Sequence, residues 1–272
     1  MTEAPLVSVI IPTYNRPDFL RRAVASAQRQ KGVQTDIIIV DDNSDTDLTD
    51  EFSGADNIRY IRNRENLGGS HSRNRGLELA KGRFVNFLDD DDEFLEDKLI
   101  RQVQKFSDSD VPNLAMVSCH IRDMRSGEEV ILWNRYKGDI YRESLERYTV
   151  KLTTSMLFRT DVVRRLGGFD SKLQSSQEYD LIIRLSKSHG VDYVDEVLAL
   201  ANASSHQISL NFDKKSSGAR RLFAKFDDEF REVGFLFRLK MRLKLRLLLF
   251  RFWMGKHFGK SAYQLFLLRK GI

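Results

Sequence analysis

The chain has 272 residues, 41% of them apolar, with only 4 prolines and one cysteine, which allows a substantial core and excludes collagen-like, disulfide-stapled and compositionally disordered classes. The net charge of +5 conceals a division: residues 1–232 carry 34 basic and 39 acidic side chains, whereas ten Lys and Arg and no Asp or Glu follow Glu232. Two physically different pieces are joined. The opening "MTEAPLVSVIIP" has no basic leader, and no run of roughly 18 uncharged apolar residues occurs, so neither a secretory signal nor a membrane-spanning helix is expected. Cys119, inside "LAMVSCHI", is expected to be a small core residue of a protein kept in a reducing compartment.

In chain order, "LVSVIIP" (6–12) reads as a buried strand, and "RPDFLRRAVASAQRQ" (16–30) as a helix with Pro17 in its first turn. "DIIIVDDNS" (36–44) is a second strand ending in acids and turn formers, and "IRYIRN" (58–63) a shorter one. "SHSRNRGLELAKG" (70–82) is a helix closed by Gly82, and "RFVNFLDD" (83–90) returns to strand. Continuous apolar strands alternating with helices predict an α/β fold, a parallel sheet covered on both faces, with ligands at the carboxyl ends of the strands. Beyond residue 111 the pattern is mixed: strands in "NLAMVSCHIRD", "EEVILWN" and "VDYVDEVLALA", helices at 142–149, 160–166 and 178–189, and a charged helical stretch at 213–232.

Both acidic clusters, Asp41–Asp42 and Asp89–Asp92, fall at predicted strand ends. In extended backbone Asp89 and Asp91 share a face, and two converging carboxylates suit a hard divalent cation such as Mg²⁺ or Mn²⁺. Asp92 is expected to cap a helix starting near Glu93.

Five strings occur in order: "VSVIIPTYNRP" (7–17), "IIIVDDNSDT" (37–46), "NLGGSHSRNRGLELAKGRFVNFLDDDD" (66–92), "GGFD" (167–170) and "QEYDLIIRL" (177–185). Together they resemble the family-2 inverting glycosyltransferases with the GT-A fold, over residues 6 to about 210. The resemblance implies a Rossmann-like nucleotide-diphospho-sugar transferase with a mixed, mostly parallel sheet flanked by helices. The catalytic domain would span 1–212, with a nucleotide half (1–110) and an acceptor half (111–212), followed by a basic, apolar helical extension at 213–272. It further implies that Pro12, Thr13 and Tyr14 line the base pocket, and that Asp41, in preference to Asp42, accepts the uracil imide N–H. Arg73, in "SRNRG", would stand near the nucleotide. Asp89, Asp90 and Asp91 match the DXD triplet, with Asp91 on a Mn²⁺ or Mg²⁺ ion and Asp89 and Asp90 on the nucleotide side. Glu178 stands where the family usually has the aspartate that serves as general base, so the base would reach one methylene further. His206 matches a histidine near metal or diphosphate. Asp180 and Arg184 are expected to brace helix and carboxylates, and Arg75 to be a solvated helix position.

"FLFRLKMRLKLRLLLFRFWMGKHFGK" (235–260) alternates apolar and basic residues from Arg238 to Arg246, a strand period, yet its residue types favour helix. A nearly all-round apolar helix with snorkelling cations suits an anionic membrane surface, whereas packing on the domain or on a second subunit is the bland alternative. Leu and Phe in place of polar base readers argue against nucleic acid. The function expected is transfer of a sugar from a UDP-sugar to a hydroxyl of a glycan or lipid-linked glycan, in the cytoplasm and peripherally on the inner face of the cell membrane. The alternatives are a sugar nucleotidyltransferase, which would want a Gly-rich basic loop where "PTYNRPD" stands, and a non-catalytic nucleotide-sugar-binding module. No G-x-G-x-x-G follows a strand, which disfavours dehydrogenases and methyltransferases.

Overall fold

In the computed structural model residues 6–203 and 211–265 are described. They form two compact units, the described parts of Met1–Asp170 with Leu181–Ser204, and of Ser171–Asp180 with Ser205–Ile272. The strands are β1 (Val7–Thr13), β2 (Thr35–Asp41), β3 (Ile58–Arg62), β4 (Phe84–Phe87), β5 (Asp92–Phe94), β6 (Leu114–Asp123), β7 (Val130–Leu132), β8 (Leu157–Arg159) and β9 (Gly190–Ala201). The helices are α1 (Pro17–Gln28), α2 (Thr49–Phe52), α3 (Gly69–Leu79), α4 (Lys98–Asp108), α5 (Tyr141–Glu146), α6 (Thr160–Arg165), α7 (Gln177–Ser186), α8 (Phe212–Lys225), α9 (Asp227–Val233) and α10 (Phe235–Leu265).

The nine strands among the described residues lie in the first unit, in the order β3-β2-β1-β4-β8-β6-β9-β5 with β7 on β6. The β3-β2-β1-β4 half is wholly parallel, β8 joins antiparallel to β4 and β6, and β9 runs parallel to β6. The sheet is therefore mixed, with most of its paired length parallel.

Strand alternation divides the core in two. Val9 and Ile11, Ile37 and Ile39, and Phe84 pack with Leu20, Ala23, Val24 and Ala27 of α1 and Leu99 of α4. On the other face Ile10, Ile38, Val85 and Phe87 pack with Leu77 of α3, Val162 and Val163 of α6, and Leu181, Ile182 and Leu185 of α7. Burial on both faces explains why β1 and β2 read as unbroken apolar runs. Cys119 lies in the smaller cluster between β6 and β9, where burial pushes its thiol up to about 11, an inert core residue.

The aspartate run departs from expectation in one respect. Asp92 starts β5 instead of capping a helix, and the next helix begins six residues later, at Lys98. Pairing with Ala201 at the end of β9 draws Asp92 into the sheet.

The second unit has a small core of its own. Phe223 of α8, Phe230 of α9 and Phe237 of α10 stack in series, with ring centroids 5.8 and 6.1 Å apart. Asp180, fully buried, pairs with Lys225 at 2.6 Å, so it braces α8 against the first turn of α7. The alternating basic stretch is helical: α10 runs from Phe235 and breaks at Gly259 (φ 84°). No helix among the described residues is long and apolar enough to cross a membrane.

Two positions give stability predictions. A Cβ on Gly76 of α3 would sit 2.4 Å from Cγ2 of Ile10, a fully buried side chain on β1. Helix propensity alone would favour Gly76→Ala by about 1 kcal/mol, but overpacking of about 1–3 kcal/mol outweighs it, so a lower urea midpoint is expected. Lys98 is fully buried at the start of α4, its Nζ donating to Gln102 Oε1 at 2.7 Å and lying 4.3 Å from the centre of the Phe94 ring. Burial pushes this amine down to about 8 from the ordinary lysine value of 10.5. The unfolded chain therefore binds more protons between those two values, and stability from this group rises with pH across that window, by up to about 3 kcal/mol. Lys98→Met should raise stability at neutral pH and remove this rise, as urea unfolding at about pH 7 and about pH 10 will show.

Candidate active site

The carboxyl ends of β1, β2 and β4 bring three sequence motifs together. Asn15 and Asn43 take left-handed φ values of 53° and 70°, which asparagine tolerates, and so reverse the chain directly after β1 and β2. The two loops are stitched to each other. Asn15 N donates to Ser44 Oγ at 2.9 Å, and Asp45 N donates to Asn15 Oδ1 at 2.7 Å. A cavity of about 260 Å³ opens between them, lined by Thr13, Arg16, Ser44, Leu48 and Tyr60 among others. Pro12, on β1, is buried and does not line it, and Tyr14 is exposed.

Asp41 and Asp42 are both buried and both engaged within the protein. Asp41 Oδ1 accepts from Ser44 N at 2.9 Å and from Ser44 Oγ, and Oδ2 accepts from the Tyr60 hydroxyl at 2.7 Å. Asp42 accepts from Gly68 N at 2.7 Å, Leu67 N at 3.1 Å and Asn63 Nδ2 at 2.7 Å. A base imide would reach either carboxylate only in competition with these bonds. Gly68, at φ 88°, makes the left-handed turn that aims its N–H at Asp42 and opens α3.

The four aspartates are sorted by their partners. Asp89 pairs with Arg73 Nη2 at 2.5 Å. Arg16 Nη1 bridges Asp90 at 3.0 Å and Asp91 at 3.1 Å, and Thr13 Oγ1 donates to Asp90 at 2.8 Å. Asp92 turns the other way and accepts from Thr154 Oγ1 at 2.6 Å. Burial pushes the Asp90 carboxyl up to about 6, Arg16 pulls it down, the charge of Asp91 adds to the rise, and the Thr13 bond opposes it. Asp92 is raised well above the usual carboxylate range, first by burial and then by the charges of Asp89 and Asp91. Asn202 Nδ2 ties the segment to the end of β9 through Asp91 O at 3.2 Å and Glu93 Oε1 at 3.0 Å.

Arg73 is itself positioned from below. Its guanidinium lies 5.5 Å from the centre of the Phe169 ring, and Phe169 meets Phe87 edge-on at 4.8 Å. Asn74 clamps the Phe169 backbone in both directions, Nδ2 donating to its carbonyl and Oδ1 accepting from its N–H, each at 2.8 Å. Gly167 and Gly168 (φ 77° and 68°) make that approach possible, since a Cβ on Gly168 would stand 2.4 Å from Asn74 Oδ1.

Some expected roles change. Arg75 is not a solvated position: it donates to the Arg62 carbonyl at 2.9 Å and to Asn63 Oδ1, tying α3 to the end of β3. Arg184 grips the carbonyls of Leu166 and Gly168, each at 2.7 Å, and so closes the end of α6. Glu178 occupies the first turn of α7, in the second unit. His206 lies outside the described residues. Among the described residues no cluster of three or more His, Cys, Asp or Glu is arranged to hold a metal. The oxygen donors of Asp89 and Asp91 nonetheless match a hard cation that takes one or two carboxylates and completes its shell with phosphate and water. Arg16, Asn74, Phe169 and Thr154 were given no site role from the sequence; Arg16, Asn74 and Phe169 lie inside the strings "TYNRP", "SRNRG" and "GGFD", whereas Thr154 carried no signal.

Strand-end acids faced by arginines, on a sheet that begins parallel and turns mixed, make the kind of α/β ligand site that sits at the carboxyl ends of strands. The Glycosyl transferase family 2 model matches residues 8–167, and the chain belongs to that family. It is a glycosyltransferase with the GT-A fold. An uncharacterized glycosyltransferase, MJ1057, of Methanocaldococcus jannaschii is 29% identical over 208 residues, 72% of this chain and 70% of that one. A GalNAc(5)-diNAcBac-PP-undecaprenol beta-1,3-glucosyltransferase of Campylobacter jejuni is 41% identical over 106 residues, 37% of this chain and 34% of that enzyme. Among solved structures, S. aureus TarS 1-349 in complex with UDP-GlcNAc superposes with a TM-score of 0.65 at 19% identity, over 98% of this chain and 76% of that one. Mannosyltransferase PcManGT from Pyrobaculum calidifontis, in complex with GDP-Man and Mn²⁺, gives 0.64 at 18% identity, over 98% and 80%.

The Arg16 bridge generates a prediction. Arg16→Ala removes the cation that holds Asp90 down, so the Asp90 carboxyl rises further and its burial while charged costs more above its titration. A destabilisation of about 1–3 kcal/mol is expected near pH 7.5, shrinking near pH 5 as Asp90 takes up its proton, read as thermal midpoints at the two pH values.

Proposed function

We propose that this glycosyltransferase moves a sugar from a UDP-sugar to a hydroxyl of a glycan acceptor, lipid-linked or part of a surface polysaccharide, with inversion at the anomeric carbon. The observation that carries the reading is the aspartate triplet at the end of β4, held by Arg16, Arg73 and Thr13 beside the cavity between the β1 and β2 loops. The similarity to structures in complex with UDP-GlcNAc and with GDP-Man and Mn²⁺ supports a nucleotide-sugar donor. The resemblance to an undecaprenol-linked glucosyltransferase supports a lipid-linked acceptor.

In this reading residues 1–212 are the catalytic domain, Pro12, Thr13 and Tyr14 shape the base pocket, and Asp41 or Asp42 accepts the uracil imide. Asp91, with Asp89, would hold Mn²⁺ or Mg²⁺, whose role when bound is to neutralise charge on the departing diphosphate. His206 is the proposed further ligand. Arg73, freed from Asp89, would face the phosphates, and Asp90 stays on Thr13 and Arg16 to keep the loop in place. Glu178 takes the proton of the acceptor hydroxyl as that oxygen attacks the anomeric carbon. It is the residue on which an enzyme differs from a nucleotide-sugar-binding module. Residues 213–272 form an extension with no part in the chemistry, and the cytoplasmic face of the cell membrane, where lipid-linked acceptors would be met, is the proposed location.

Glu178→Gln should lower sugar transfer and UDP-sugar hydrolysis by about 10²–10⁴-fold while the thermal shift given by UDP with Mn²⁺ persists. Unchanged turnover in this variant would remove Glu178 from the base role. Absence of any stabilisation by uridine nucleotides with metal would count against the donor assignment.

A further inference from the structure

Helix α10 has two apolar faces. Its inward row, Phe237, Met241, Phe252 and Gly255, is buried, with Gly255 against the ring of Phe212 on α8. About half a turn away, Leu236, Leu239, Leu243, Leu247, Phe250 and Trp253 form an outward stripe, each between 48% and 78% exposed. Their spacing of three and four residues keeps them on one side of the helix. The uninterrupted part of α10, between Gly234 and the break at Gly259, is about 36 Å long at 1.5 Å per residue.

Basic residues border the stripe, Lys240 and Lys244 along one edge and Arg242 and Arg246 along the other; Arg251 lies over the Tyr263 ring at 5.2 Å, Arg242 Nη2 stands 3.7 Å from Asp227 of α9, and α10 contains no acidic residue. That charge pattern chooses the occupant. A second copy docked through the same face would set two cationic rows against each other, with Asp227 of α9 beside Arg242 as a partial offset and no acid on α10 itself. A nucleic acid would engage the cations but leave the leucines and aromatics against phosphate and water. An anionic lipid surface satisfies both sets, apolar side chains entering the acyl boundary and the cations reaching headgroup phosphates. The stacked Phe250–Trp253 pair, 6.0 Å between centroids, has the residue type enriched at that depth.

We propose that the outward face of α10 lies in the headgroup region of an anionic bilayer, parallel to its plane, and holds the enzyme at the membrane surface. The proposal goes beyond the transfer reaction and does not depend on which sugar is moved.

The full chain, in a Trp133→Phe background so that Trp253 alone reports, is tested against phosphatidylcholine vesicles with and without about 30 mol% phosphatidylglycerol, where about tenfold or greater preference for the anionic vesicles is expected. Trp253 emission should shift to the blue on binding. Leu243→Glu combined with Leu247→Glu should lose vesicle binding by about tenfold or more, while the thermal midpoint and UDP-sugar hydrolysis stay unchanged. Lys240→Gln combined with Arg246→Gln should lose the preference for phosphatidylglycerol. The proposal is overturned by equal binding of the double glutamate variant, by no vesicle binding at all, or by tighter binding to an oligonucleotide duplex than to vesicles. It is also overturned if light scattering finds a dimer that the glutamate pair dissolves. Loss of hydrolysis with intact vesicle binding would strike the donor assignment and leave this one standing.

Discussion

Four adjacent carboxylates at one strand end repel one another, and the candidate site is organised by the way that repulsion is relieved. Ion pairing alone does not do it, because Arg16 and Arg73 pair directly with only three of the four acids, and Arg125 acts on Asp92 only at longer range. The backbone contributes by turning Asp92 into β5, where Thr154 meets it and burial favours its neutral form. The remaining three are divided between Arg73 and the bridging Arg16, with the Thr13 hydroxyl fixing Asp90. Each partner comes from a different element, so the cluster also joins the end of β4 to the β1 loop and to α3.

The support behind that arrangement runs deep into the first unit. Arg73 rests over Phe169, Phe169 is held by Asn74 and by Phe87, and Phe87 belongs to the buried face of β4. Two glycines at positive φ make the contact between Asn74 and Phe169 possible. The "GGFD" string, distant in sequence from the acids, thereby helps to aim an arginine at them.

Apolar runs and their spacing made the parallel half of the sheet and its helices legible, since a strand buried on both faces has little choice of composition. The acids of β2 and β4 were equally visible as candidates. What sequence could not show is how their oxygens are spent. Asp41 and Asp42 look alike in "VDDNS", yet one is consumed by Ser44 and Tyr60 and the other by the turn at Gly68. The expected helix cap at Asp92 failed because local capping preference lost to pairing with β9, a contact more than a hundred residues away. Arg75 misled for the same reason: its partners, the Arg62 carbonyl and Asn63 Oδ1, are brought to α3 only by the fold. In the extension, alternation suggested strand while propensity suggested helix, and propensity prevailed, with the inward row of α10 buried on α8 and α9.

The ion pairs of Arg16 and Arg73 carry a consequence for ligand recognition. A phosphate reaching those guanidiniums would replace one anionic partner with another and leave the number of ion pairs nearly unchanged. Such an exchange releases few counter-ions, so donor affinity at this site should be almost indifferent to salt. The cations beside the outward stripe of α10 act across open water, where attraction decays over a Debye length of about 8 Å at physiological ionic strength. One chain would thus carry two electrostatic surfaces with opposite responses to the same solution variable.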